Sequence, residues 1–205
     1  MIKVLTHYTP NWEYISSITT PILEKYCKIH GYRLSSYKCT PYQQYNGKEK
    51  LKHIVNNLNE NDIALIMDAD AIITNMTIPI EKFLDKDYDL FITKHLGNIN
   101  AGVFIIKMTK WAHDFINFLL DNIGKEKINC EQDAMQLYMN MNPYDNKIKI
   151  LSHPSINSFN YNLYPEHINI THEQGNWEEG DFILHLPGVG MDKRAELLRN
   201  VKITK

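Results

Sequence analysis

The chain has 205 residues, of which 43% are hydrophobic and 22% charged, with a formal net charge of -2. That length suits one sizeable α/β domain and is too short for two complete ones, and the near-neutral balance excludes the basic footprint of a nucleic-acid binder. Three cysteines, Cys27, Cys39 and Cys130, stand far apart with no C-x-x-C pair, which fits a reducing compartment and excludes a disulfide scaffold or a zinc cluster.

The first residues, MIKVLTHY, read as an apolar strand and lack the basic-then-apolar layout of a signal peptide. Residues 12–30 carry a helical pattern that ends at Gly31, where a C-terminal cap belongs, and Pro21 is expected to split it into two pieces. Residues 32–39 alternate as a second strand, 41–47 form a loop and 48–58 a further helix. The segment IALIM, 63–67, is a continuous apolar run of the kind a strand buried on both faces requires. Further strands are expected at 88–93, 103–107, 147–151 and 182–186, and helices at 111–123 and 131–141. No apolar run approaches the 18 or so residues that cross a bilayer, and no repeat, low-complexity tract or linker divides the chain. Alternating strands and helices predict a single α/β domain with a mostly parallel central sheet flanked by helices. In such sheets ligands bind beyond the carboxyl ends of the strands.

Asp68 and Asp70 follow IALIM directly. If the chain stays extended, both carboxylates point to one side and repel unless a cation sits between them. Hard divalent ions with open positions for phosphate oxygens, Mn²⁺ or Mg²⁺, suit such a pair. The plainer reading is a polar strand end with capping aspartates. A second enzymatic reading comes from phosphatases of the haloacid-dehalogenase type, which also place D-x-D after an apolar strand. Their motif lies in the first strand and continues with Thr or Val, whereas 67 residues precede Asp68 and Ile72 stands at that later position.

Four segments in order, LIMDADAIITN (65–75), NAGVFIIK (100–107), EQDAM (131–135) and FILHLPG (182–188), resemble the retaining GT-A-fold glycosyltransferases of the galactosyl/xylosyl/mannosyl-transferase family. That family is known from fungal mannan enzymes and plant xyloglucan xylosyltransferases, with the glycogenin-like family as a relative. The resemblance covers about residues 50–200. It implies a GT-A-like domain over 1–205 and a nucleotide-sugar donor, UDP favoured. It further implies transfer with retention to a glycan or other hydroxyl acceptor. Asp68, Asp70 and His185 match the metal-binding residues, on the expectation that a parallel sheet brings the late strand beside IALIM. Without the resemblance His185 reads as a core histidine.

For the donor, the resemblance points to Lys50, with Lys48 as an alternative, otherwise a surface lysine of its helix. It points also to Ala69 and to Asn100-Ala101-Gly102, where glycine lets backbone approach and the amide meets sugar hydroxyls. Gly188 turns the chain beside the diphosphate, and Lys193 or Arg194 supplies the basic residue after it, in a helix that Asp192 would cap. Thr6 and Tyr8, with His7 between them, end the first strand where this fold receives base and ribose. Glu131 and Gln132 match an acidic-Gln pair beneath the reacting sugar, and Asp133 adds a carboxylate; the plainer reading is acidic residues in a helix first turn. Along 153–165, Phe159 and Tyr161, with Tyr164, interleave with amides as an acceptor wall or a plain surface loop. Family members usually carry an N-terminal anchor and stem, so a chain without them is expected to be cytoplasmic. The remaining alternatives are an inverting transferase, a sugar nucleotidyltransferase on a similar sheet, and an inactive sugar-binding module.

Overall fold

The computed structural model describes residues 1–39, 47–95, 98–152, 154–163 and 169–205. The loop expected at 41–47 lies outside them except for Gly47, as does Tyr164. A six-stranded sheet forms the centre. Its strands are β1 (Ile2–Tyr8), β2 (Arg33–Lys38), β3 (Ile63–Asp68), β5 (Leu90–His95), β6 (Asn98–Lys107) and β7 (Ile148–Leu151), in the spatial order β2-β1-β3-β6-β5-β7. The pairs β1/β2, β1/β3 and β5/β7 are parallel, and only β6 runs against its neighbours. This is the mostly parallel α/β architecture that the alternating pattern predicts.

Two consequences position the site. The parallel register sets His7 of β1 opposite Asp68 of β3. Because β6 is antiparallel, its beginning lies beside the end of β3, with Met67 opposite Val103 and Asn100-Ala101-Gly102 just beyond. Three strands therefore deliver polar residues to one edge.

Helices α2 (Lys48–Asn57), α3 (Lys110–Asn122) and α4 (Glu131–Met141) cover one face, packing Leu51, Ile54, Phe115, Leu119 and Met135 against Leu5, Ile66 and Phe104. The other face receives α1 (Glu13–His30) and a small sheet, through Leu23, Tyr26, Phe182 and Ile183 against Leu65, Met67 and Ile105. Burying these clusters is the main driving force for the fold.

Helix α1 is one piece. Pro21 lies inside it, contrary to the expected break. Proline removes one donor, but Pro21 and Ser17, four residues earlier, are both exposed, so water can meet the carbonyl left over. The helix ends at Gly31 as expected, with φ at 72°, a left-handed conformation that glycine adopts at little cost.

The small sheet was read only in part. Its strands β4 (Ala71–Ile73), β8 (Ser158–Phe159) and β9 (Ile183–His185) run in the order β4-β9-β8; β9 is the strand expected at 182–186, while β4 and β8, of three and two residues, are too short for a periodic signal. Helix α5 (Met191–Asn200) closes the chain against α1. Its N-cap is Gly190, with Asp192 inside the first turn, not at the cap. No helix among the described residues is long and apolar enough to cross a membrane.

Candidate active site

A cavity of about 550 Å³ opens at the carboxyl ends of β1 and β3. Into it face His7, Tyr8, Trp12, Asp68, Asp70, Asn100, Gly102, Glu131, Gln132, His185, Gly188 and Arg194, among others.

Asp68 is the last residue of β3, and Asp70 lies in the turn before β4. The chain turns here instead of staying extended, yet the two carboxylates still converge. His185 joins them from the small sheet, not from a parallel central strand as expected. Strand β9 pairs antiparallel with β4, so that His185 faces Ala71, one residue past Asp70. Single ligand atoms of Asp68, Asp70 and His185 all lie within 4.8 Å of one another. Two hard carboxylate oxygens and an imidazole nitrogen form a donor set that suits Mn²⁺ or Mg²⁺ and leaves positions for ligand oxygens.

Positive charge is held around this set. Lys50 is buried, not a surface lysine: its Nζ lies 2.7 Å from Asp68 Oδ1 and donates to Glu131 Oε1 at 2.6 Å and to the Ala101 carbonyl at 3.0 Å. It thus ties the strand end to the start of α4. Arg194 of α5 is also buried. Its Nε lies 3.2 Å from Asp70 Oδ2 and donates to the Leu186 carbonyl at 3.0 Å. Its guanidinium covers the Trp12 ring, 4.4 Å from the centroid. Lys193 turns outward to Glu196. Of the two basic residues considered after Gly188, the one at the cavity is Arg194. Burial pushes the Asp70 carboxyl up, but its close neighbours His185 and the Arg194 guanidinium outweigh it and hold the group below the ordinary carboxylate range.

His7, named with Thr6 and Tyr8 at the end of the first strand, faces the cavity. Its Nε2 lies 3.6 Å from Asp68 Oδ1, and burial first, then the charge of Lys50, hold the imidazole well below its ordinary value. It is a neutral polar group at the cavity floor. Thr6 is buried and does not line the cavity, whereas Tyr8, Ala69 and Ala101 do. Cys130 also lines it, with burial raising its thiol so that little thiolate forms.

At the start of α4, Glu131 and Gln132 face the cavity, and Gln132 Oε1 accepts from the Ala101 amide at 3.1 Å. Asp133 does not reach it. Its Oδ2 accepts from the Asn129 and Cys130 amides at 2.8 and 3.3 Å, which is the helix-capping role. Phe159 and Tyr161 are 1% exposed, so they fill the core and offer no ring to an acceptor. Gly188 has φ at 73°, a turn that favours glycine. Gly102 has a different need from close donor approach: a Cβ there would lie 2.2 Å from His185 Cε1. The imidazole occupies that space.

Solved structures with this fold are glycosyltransferases of the GT-A type. One is a glycosyltransferase involved in glycosylation of the major capsid of PBCV-1, at 19% identity and TM-score 0.73 over 96% of this chain and 98% of that one. Another is the galactosyltransferase LgtC in complex with donor and acceptor sugar analogs, at 13% identity and TM-score 0.59 over 100% and 98%. A third is a Drosophila β-1,4-galactosyltransferase 7 variant in complex with manganese, UDP-Gal and xylobiose, at 11% identity and TM-score 0.55 over 94% and 72%. At these identities the likeness is one of fold. No curated protein matches the sequence. A family model described as "Protein of unknown function, DUF273" matches residues 23–156, and the chain belongs to that DUF273 family.

Proposed function

We propose that this protein is a metal-dependent glycosyltransferase that takes a nucleoside-diphosphate sugar, UDP favoured, and transfers the sugar with retention to a hydroxyl acceptor. The observation that carries the reading is the meeting of Asp68, Asp70 and His185 at the wall of a cavity large enough for a nucleotide-sugar.

The donor reading distributes the surrounding residues. Tyr8 and Trp12 stand at the end of the cavity formed after β1, suited to a base and ribose. Asn100, Ala101 and Gly102 line the donor wall, and Gly188 and Arg194 stand where a diphosphate would meet the metal ligands. A bound Mn²⁺ or Mg²⁺ would neutralise the charge that develops on the leaving diphosphate. Glu131, held by the Lys50 ammonium at 2.6 Å, is not free to approach the sugar as a nucleophile, and Glu131 or Gln132 would stabilise the positive charge that develops there, with the acceptor attacking on the face the diphosphate leaves. Retention and membership of the galactosyl/xylosyl/mannosyl-transferase family rest on the sequence resemblance.

The test is thermal stabilisation by Mn²⁺ and UDP, separately and together. The protein ligands leave the ion's shell open for diphosphate oxygens, so the joint shift should exceed the sum of the separate ones. Shifts that merely add, or none with UDP or GDP, would refute the donor reading.

A further inference from the structure

His185 and three groups behind it form a chain of hydrogen bonds whose proton positions are all determined. The Gly102 amide donates to Asn100 Oδ1 at 2.9 Å. Asn157 Nδ2 donates to the same Asn100 oxygen at 2.9 Å. Asn157 Oδ1 then lies 3.0 Å from His185 Nδ1. Asn157 and His185 are buried, at 0% and 2% exposure, so no water competes for these bonds.

The logic starts at the backbone. An amide N–H can only donate, so the Asn100 atom facing it must be its carbonyl oxygen. That oxygen can only accept, so Asn157 must turn its NH₂ toward Asn100 and its oxygen toward His185. An oxygen facing Nδ1 requires a proton on Nδ1. In the neutral ring, Nε2 then carries the lone pair. Nε2 is the nitrogen on the carboxylate side, 3.4 Å from Asp70 Oδ1. Left to itself, a neutral imidazole beside a carboxylate would put its proton on Nε2 and donate to Asp70, which would block metal binding.

We propose that Asn157 is a positioning residue that holds His185 as the Nδ1–H tautomer and so keeps Nε2 open for a cation shared with Asp68 and Asp70. The inference rests on the metal reading of the site, and it adds a residue that touches neither ion nor donor. It carries a second consequence. Both hydrogen bonds to Asn100 Oδ1 come from within the protein, so the Asn100 group left to face the cavity is its NH₂. Asn100 therefore meets a ligand as a donor, toward a hydroxyl or phosphate oxygen.

The test reads the tautomer directly. Long-range ¹H–¹⁵N NMR on the metal-free protein should find the neutral form of His185 protonated on Nδ1 and bare on Nε2. In Asn157→Leu the proton should move to Nε2, and Mn²⁺ affinity in the presence of UDP should fall about 10- to 100-fold, the usual cost of losing an outer-shell partner. A wild-type spectrum with the proton on Nε2 overturns the proposal with no variant needed, as does an Asn157→Leu protein with unchanged tautomer and affinity. If wild type binds no Mn²⁺ with UDP, the metal reading fails, and the tautomer measurement still decides whether Asn157 sets the ring.

Discussion

Gly102→Ala isolates one contact at the centre of the site. Gly102 has no left-handed backbone to protect, so alanine strains nothing locally, and the effect comes only from the added methyl. That Cβ would lie 2.2 Å from Cε1 and 2.9 Å from Nε2 of His185, and 3.0 Å from Asn100 Oδ1. Ordinary carbon contacts begin near 3.5 Å, so the ring must retreat by roughly 1 Å. It cannot do so freely. It is buried, bonded to Asn157 and packed on Phe159 with ring centroids 5.4 Å apart. Overpacking of this kind costs about 1–3 kcal/mol, or about 4–8 °C in Tm at the middle of that range for a chain of this size. A ring displaced by about 1 Å also leaves the narrow distance at which nitrogen binds such ions, roughly 2.0–2.3 Å. Gly102→Ala should therefore weaken Mn²⁺ binding with UDP by about tenfold or more, read by calorimetry beside urea unfolding. Combining it with His185→Ala should cancel most of the methyl's cost, since the space is then vacant. Strictly additive stability losses, or wild-type Mn²⁺ affinity in Gly102→Ala, would refute the reasoning.

Asp70→Asn should abolish the joint stabilisation by Mn²⁺ and UDP. The sequence alone suggests that losing a charge relieves repulsion in the metal-free protein, but Asp70 faces Arg194 and His185, so the variant should instead be less stable by about 3 kcal/mol. Urea unfolding checks the sign, and a more stable metal-free variant would contradict this charge assignment. Acid should also weaken the fold through its buried imidazoles. Burial holds His53 down to about 4 and His7 well below its ordinary value, while the unfolded chain titrates near 6.5. The unfolded state then binds more protons as pH falls, so this stability is complete above pH 6.5 and drains away toward about pH 4. His53 should account for on the order of 2 kcal/mol after allowance for screening. Unfolding midpoints measured across that window should slope less in His53→Asn, and an equal slope would count against it.

What the sequence disclosed and what it hid divide by the length scale of the signal. IALIM followed by Asp68 and Asp70 is contiguous, and its strand forms as read, because a buried strand must be apolar at every position. Helices α3 and α4 are likewise local patterns of apolar spacing. The burial of Lys50 had a local trace too. It lies on the same helical face as Ile54, four residues on, and both turn toward the core. Charge argued for the surface, but the carboxylates of Asp68 and Glu131, 18 and 81 residues away, give that ammonium its partners.

The rest depends on contacts that no periodicity encodes. Asp133 and Glu131 are both acidic residues in one first turn, yet one caps the helix while the other faces the cavity. At 3.6 residues per turn, a two-residue step rotates the side chain through more than half the circumference, so composition cannot separate them and direction does. His185 fits an apolar strand pattern, and only the order of four segments singled it out. Phe159 and Tyr161 look like an acceptor wall because aromatics beside amides are what sugars bind. The same composition also builds a buried strand: β8 pairs with β9 and sets the Phe159 ring against His185. The segment that seemed to reach for an acceptor thus packs against His185, and Asn157, adjoining β8, bonds to that imidazole.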